Sequence, residues 1–253
     1  RFKNPKHQIK IGLVGKYVEL QDSYKSILES LIHAGADQET DVVVVSLHSE
    51  DINSQNVGEI LNELDGVLVA PGFGERGIEG KITAIGYART HNIPFLGICL
   101  GMQMAVIEYA RNKVGLKDAN STEMDPDCNH PVIDLMESQK SIVKKGGTMR
   151  LGAWDCEVKP GTKVSEIYPT ASVSERHRHR YEFNNDYLDQ IFDNDFVIAG
   201  TNPETDLVEI IEYKNHPWFV GVQFHPEYKS TVSNPHPLFK GFVQASLAKK
   251  LTH

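Results

Sequence analysis

The apolar positions of the first hundred residues fall into short dense runs separated by helical patterns. Residues 9–14 predict a strand and about 23–34 a helix. The run 42–47 is almost entirely β-branched and apolar, the pattern of a strand buried on both faces. Runs at 66–70 and 95–99 read the same way, with a helix over about 79–90 between them. This βαβαβ rhythm predicts a parallel sheet with helices on both faces. A site in such a sheet is expected beyond the carboxyl ends of its strands. Residues 112–148 are poor in periodicity and rich in polar and turn residues. Alternating runs then predict strands at 148–151, 171–175, 208–213 and 219–224, and a closing helix over about 238–249. The architecture expected is one α/β domain over 9–250, a mostly parallel sheet flanked by helices with a small antiparallel annex. Residues 1–8 read as a linker from an upstream domain, or more simply as a frayed terminus.

Composition narrows the class. The 253 residues carry 26 Lys and Arg against 34 Asp and Glu, a formal charge of −8, which argues against a broad nucleic-acid-binding face. Hydrophobic residues make up 40% and charged residues 24%, the usage of an ordered globular chain. No apolar run is long enough for a transmembrane helix, and no apolar stretch follows the basic opening as a signal peptide requires. Cys99, Cys128 and Cys156 are too few and too scattered for a disulfide framework, so free thiols in a reducing cytoplasm are expected.

The strongest chemical signal is Gly97-Ile98-Cys99-Leu100-Gly101, where a strand pattern runs straight into a helical one over about 102–111. This is a nucleophile-elbow layout with sulfur in place of oxygen. The flanking glycines let the backbone turn tightly. A thiol at a helix N-terminus is favoured as thiolate, and the amide of Leu100 is placed to meet an oxyanion. A structural cysteine whose glycines only end a strand is the competing reading. The base is found in Gln223-Phe224-His225-Pro226-Glu227, at the end of a predicted strand. In an extended segment residues 225 and 227 point the same way, so Glu227 would fix the tautomer of His225. The alternation in Arg176-His177-Arg178-His179-Arg180 puts three guanidiniums on one face. That suits an anion grip or a solvated basic loop better than a metal site, since the cations would repel a metal. Gly15-Lys16 lacks the glycine spacing of a phosphate-binding P-loop.

The segments Gly-Ile-Cys-Leu-Gly-Met-Gln (97–103) and Phe-His-Pro-Glu (224–227) together resemble the class I, or triad, glutamine amidotransferases. Five motifs in order, at 15–24, 73–81, 118–123, 146–152 and 175–182, are similar to the glutaminase domain of the CTP synthase family, over roughly 9–248. The resemblance implies a flavodoxin-like fold and hydrolysis of L-glutamine to glutamate and ammonia through a cysteinyl thioester. It implies Cys99 as nucleophile, His225 as general base and acid, and Glu227 as its orienting partner. Gly72 and Leu100 match oxyanion-hole amides, with Gly101 and Met102 beside them in the substrate-binding group. Gln103, Glu123 and Arg180 match residues that hold the amino and carboxylate groups of glutamine. Phe73, Arg76, Gly77 and Glu79 match a lid loop linked to GTP activation.

The resemblance further implies no cofactor in this chain. ATP, Mg and UTP would bind a synthase domain, the ammonia would aminate UTP to CTP, and GTP would act at the interface within a homotetramer. No nucleic acid or membrane partner is implied, and the setting is cytoplasmic. On its own the chain is expected to hydrolyse glutamine poorly, with a mobile lid over 73–81 and little response to GTP. Pro71 stands where the family usually has glycine, which removes one N–H from the oxyanion loop. The alternatives are the glutaminase of another amidotransferase, a γ-glutamyl hydrolase, or a non-catalytic regulatory or assembly domain.

Overall fold

The computed structural model describes residues 4–16, 24–135 and 149–252. Residues 1–3 of the expected linker, 17–23 of the first motif and 146–148 of the fourth lie outside the described residues. The first half runs β1 (His7–Gly15), α1 (Lys25–Asp37), β2 (Thr40–His48), α2 (Val57–Leu61), β3 (Gly66–Val69), α3 (Ile78–Thr90), β4 (Phe95–Ile98) and α4 (Leu100–Tyr109). Next come β5 (Ala119–Ser121), β6 (His130–Leu135), β7 (Arg150–Val158), α5 (Lys163–Ile167), β8 (Ser172–His179) and β9 (Tyr181–Phe183). The chain ends with α6 (Leu188–Ile191), β10 (Phe196–Thr201), β11 (Val208–Tyr213), β12 (Phe219–Val222) and α7 (Pro237–Thr252). Among the described residues, no helix is long and apolar enough to cross a membrane.

Among the described residues, nine strands form one sheet in the order β2-β1-β3-β4-β12-β11-β10-β7-β8. The strands from β2 to β12 are parallel, and β11, β10, β7 and β8 continue antiparallel. Central strands β3 and β4 bury every residue, which is why they read as unbroken apolar runs. Their side chains alternate between two cores. Val67, Val69 and Phe95 pack toward α3 and α4, while Leu68, Leu96 and Ile98 pack toward α1 and α7.

Two expectations are corrected here. The run 42–47 does form a strand, but β2 is an edge strand and not a doubly buried one, with Val43 36% exposed. A β-branched run specifies extended backbone; it does not specify a neighbour on each side. The predicted strand at 148–151 is the start of the nine-residue β7, and with β8, β10 and β11 it widens the main sheet. The small separate sheet is instead β5-β6-β9, which pairs parallel and then antiparallel, and β5 and β6 arise in the stretch that read as aperiodic. β5 has only three residues, and in β6 the two buried residues are adjacent, so no alternation marks either strand.

The site depends on how closely α4 lies on the sheet. All ten of its residues are buried. A Cβ on Gly97 would stand 2.7 Å from the carbonyl carbon and oxygen of Gly101, and one on Gly101 would collide with the carbonyl oxygen of Val69. Neither obstacle is a side chain that can swing aside. Alanine is the better helix former by roughly 1 kcal/mol, yet overpacking against fixed backbone costs typically 1–3 kcal/mol. The collision with the Val69 backbone places Gly101→Ala at the upper end of that cost, so we expect it to destabilise the fold by about 1–2 kcal/mol and to lower its thermal midpoint by several degrees. An unchanged denaturation midpoint would contradict this packing account.

Candidate active site

Cys99 joins β4 to α4 and caps the helix N-terminus. Its φ of 53° and ψ of −102° lie in a region that side chains resist. Two backbone hydrogen bonds hold it there. Its N–H donates to Val222 O at 2.7 Å, tying β4 to β12, and its carbonyl accepts from Gln103 N at 3.2 Å, closing the first helical turn. Cys99 is buried, 4% exposed.

His225 follows β12, the strand paired with β4. Its N–H donates to Arg176 O at 2.8 Å, and its ring stacks on Tyr228 with centroids 5.1 Å apart. Nδ1 lies 2.7 Å from Glu227 Oε1. The expected pair is thus present, but the extended backbone invoked for it is not. Residues Pro226–Lys229 form a 3-10 turn, and the turn brings the carboxylate back to the Nδ1 edge of the ring. Proline is at home in the first turn of a helix, so the same Pro226 serves the tighter geometry. His225 is held well above the ordinary imidazole range. Burial alone would lower it, but the interactions with Cys99 and with Glu227 outweigh that. Nε2 of His225 makes no well-aligned hydrogen bond, the looseness common in a catalytic pair before substrate tightens it.

A cavity of about 380 Å³ opens over the sulfur, lined by Gly72, Phe73, Cys99, Gln103, Glu123, Met149, His179, Arg180 and Tyr181. Glu123, just past β5, accepts a hydrogen bond from Gly74 N at 3.0 Å, which leaves its second oxygen to the cavity. Arg180 lies between β8 and β9 and makes no ion pair with Glu123, so one wall offers a carboxylate and another a guanidinium. Gln103 spends both N–H groups of its amide, on Tyr181 O at 2.9 Å and Gln223 Oε1 at 3.2 Å. Only its carbonyl oxygen remains for a ligand. A larger groove of about 670 Å³, lined by Lys10, Asp65, His91 and Lys249 among others, lies at the amino ends of the strands and contains neither Cys99 nor His225.

The remaining sequence candidates separate. Gly72 lines the cavity, and Leu100 is the first residue of α4, where N–H groups have no helical acceptor. Gly101 and Met102 do not line the cavity. Both are buried, Gly101 against Val69 and Met102 against Gly221 of β12. The loop expected over 73–81 ends early, because residues from Ile78 onward are helical. Gly77, in a left-handed conformation, caps α3. Glu79 is on that helix and pairs with Arg111 at 2.9 Å, while Arg76 pairs with Glu50 at 3.2 Å and Lys16 Nζ reaches Phe73 O at 3.3 Å.

The alternation expected at 176–180 is present, with the arginines outward and the histidines inward. His177 Nδ1 lies 2.7 Å from His179 Nε2. Behind them Arg150 meets Glu182 at 3.2 Å and Glu209 at 2.6 Å, all buried. Burial pushes Glu182 up to about 8 and Glu209 up to about 7 against the pull of Arg150. Burial and Arg150 together lower both histidines, His179 to about 3, so their rings are neutral. The sequence reading missed three contributors to the site: His179, the Tyr181 carbonyl and Gln223. Gln223 was legible, since it stands two residues before His225, on the same side of the strand end.

A profile for "Glutamine amidotransferase class-I" matches residues 19–245. The CTP synthase of Flavobacterium johnsoniae is 64% identical over 98% of the chain, and that of Bacillus subtilis 55% identical over 98%. The chain spans 46% of the length of each, about half the length of the curated relatives it matches. Among solved structures, the Trypanosoma brucei CTPS glutaminase domain with bound acivicin superposes with a TM-score of 0.89 at 35% identity, covering 95% of this chain and 94% of that one. A Thermotoga maritima glutamine amidotransferase shares the fold alone, with a TM-score of 0.54 at 14% identity over 97% of this chain and 99% of that one.

The Glu227–His225 geometry makes a graded prediction. Oε2 of Glu227 has no hydrogen-bond partner, so nothing forces the orientation of an amide placed there. Glu227→Gln can turn its oxygen to Nδ1–H, keep the tautomer, and lose only charge stabilisation. Its kcat is expected to fall by roughly 10- to 100-fold, against 10³-fold or more for His225→Ala. Steady-state ammonia release measures both, and full activity in His225→Ala would remove the histidine from the chemistry.

Proposed function

Because the chain belongs to the class I glutamine amidotransferase family, we propose that it hydrolyses L-glutamine to glutamate and ammonia through a thioester on Cys99. The observation that carries this reading is a strained, buried cysteine at a helix N-terminus, sharing one cavity with Glu123 and Arg180 and backed by the His225–Glu227 pair. A zwitterionic amino acid needs both signs of charge. Arg180 grips its carboxylate, and Glu123 with the Gln103 carbonyl takes its ammonium.

The thiol proton resides on His225, held there by Glu227, and the Sγ thiolate attacks the side-chain carbonyl carbon. The oxygen of the tetrahedral intermediate gathers negative charge between the N–H groups of Gly72 and Leu100. The His225 imidazolium then protonates the amide nitrogen, the C–N bond breaks, and ammonia leaves a glutamyl thioester. His225 next takes a proton from water, the hydroxide adds to the thioester, and the Cys99 thiolate departs to give glutamate. Pro71 fixes the backbone beside Gly72, which favours a preformed oxyanion site over one that must rotate into place.

We further propose that residues 9–250 form the glutaminase domain of a cytoplasmic CTP synthase, with 1–8 as its linker. The ammonia then aminates UTP on a synthase domain that binds ATP and Mg, in a homotetramer. Phe73, Arg76, Gly77 and Glu79 form the surface through which GTP stimulates the reaction. The relatives named above support this destination.

Cys99→Ala is expected to fold and to release no ammonia from glutamine, while Arg180→Ala raises KM by about 10- to 100-fold with a smaller change in kcat. Ammonia at the parent rate from a folded Cys99→Ala variant would overturn the mechanism.

A further inference from the structure

Gln223 is fully buried and reaches the sulfur of Cys99, its Nε2 standing 3.6 Å from Sγ. Neighbouring groups determine which end of its amide does so. Tyr181 O is a carbonyl and only accepts, so the end of Gln103 facing it is the NH2 group, at 2.9 Å. The second N–H of that group points to Gln223, 3.2 Å away, and requires an acceptor there. Gln223 therefore turns its oxygen to Gln103 and its NH2 to the sulfur.

The anchor of this arrangement is itself fixed. His179 Nδ1 lies 3.2 Å from the same Tyr181 oxygen and must donate to it. A neutral His179 then accepts at Nε2, and His177 Nδ1 is the donor, 2.7 Å away. The backbone N–H of Gln223 is held by Glu209 O at 2.9 Å. One hydrogen-bonded chain thus runs from His177 through His179, Tyr181, Gln103 and Gln223 to the nucleophile.

We propose that Gln223 is a further catalytic residue, a neutral hydrogen-bond donor to the Cys99 thiolate. The inference rests on Cys99 being the nucleophile. The sulfur carries charge twice in the cycle, before attack and again on leaving the thioester, on a residue that is only 4% exposed to water. An amide N–H supplies there what solvent cannot. It also cannot accept the thiol proton, so it does not compete with His225. Gln103 acquires a second task, since the amide that faces glutamine also sets the orientation of the one that faces sulfur.

The test is alkylation of Cys99 by iodoacetamide across pH, with glutaminase kinetics, in the parent chain and in Gln223→Met and Gln223→Glu. The titratable and charged groups around the sulfur are His225 backed by Glu227, His179, Glu123 and Arg180, and all are common to the three proteins. Gln223→Met is expected to alkylate about tenfold more slowly at neutral pH, with the acid limb of its profile moved up by about one unit. At high pH, where the thiol is ionised without help, its rate should equal the parent's. kcat should fall about tenfold with KM for glutamine nearly unchanged. Gln223→Glu conserves shape and keeps the test open if the methionine variant fails to fold. Its carboxylate should move the acid limb further in the same direction. A folded variant with the parent's neutral-pH rate and profile overturns the proposal, and so does an equal loss at every pH, which marks a packing role. Failure of the underlying reading is separate: it appears as glutaminase activity surviving in Cys99→Ala.

Discussion

The backbone at Cys99 is held in a conformation that an L side chain resists, and the rest of the site is arranged around what holds it. Its N–H is bonded to Val222 and its carbonyl to the N–H of Gln103, so the strain is shared between β12 and the first turn of α4. Those bonds exist because β4 and β12 are neighbours in register and because α4 lies close enough to be continuous with the strand. The close approach needs Gly97 and Gly101. The same β12 delivers Gln223 and His225 at its end. One strand pairing therefore brings Cys99 together with Gln223 and His225, the proposed nucleophile, amide donor and base, although more than a hundred residues separate the first from the other two.

Electrostatics divides the region into two layers. At the front, His225 is stabilised as a cation by Glu227 and by the sulfur, a state suited to giving a proton to departing ammonia. Behind it, His177 and His179 are kept neutral by burial and by Arg150, which is itself held between Glu182 and Glu209. Histidines just after β12 and on the edge strand β8 thus suit opposite ends, one as the proposed acid and two as links with a defined direction of hydrogen bonding. The difference lies in their neighbours. His225 has a carboxylate at 2.7 Å, whereas His177 has another imidazole at that distance.

Much of this was legible in the residue pattern. The parallel core and the elbow at Cys99 follow from dense apolar runs and two glycines, signals local enough to read directly. The partnership of His225 with Glu227 was also readable, but by a wrong route. Spacing of two suggested an extended segment, and the observed contact comes from a 3-10 turn begun by Pro226. What the pattern could not supply was place. The valines of β2 do not reveal that they stand at the edge of the sheet, and the alternation at 176–180 does not reveal that the inward His179 lines the cavity. Gly101 and Met102 adjoin the nucleophile in sequence, yet the helix turns them toward the sheet and away from the ligand space. Adjacency in sequence becomes adjacency at a site only after the helical period is applied.

The central claim is that glutamine becomes covalently attached to Cys99. Mixing the protein with L-glutamine, quenching in acid within the first turnover and weighing the intact chain tests it directly. The account predicts a transient species heavier by one glutamyl group, mapped by peptide digestion to Cys99 and decaying as glutamate appears. Ammonia released in that first turnover with no such species, or a glutamyl group mapped to Cys128 or Cys156, would contradict it.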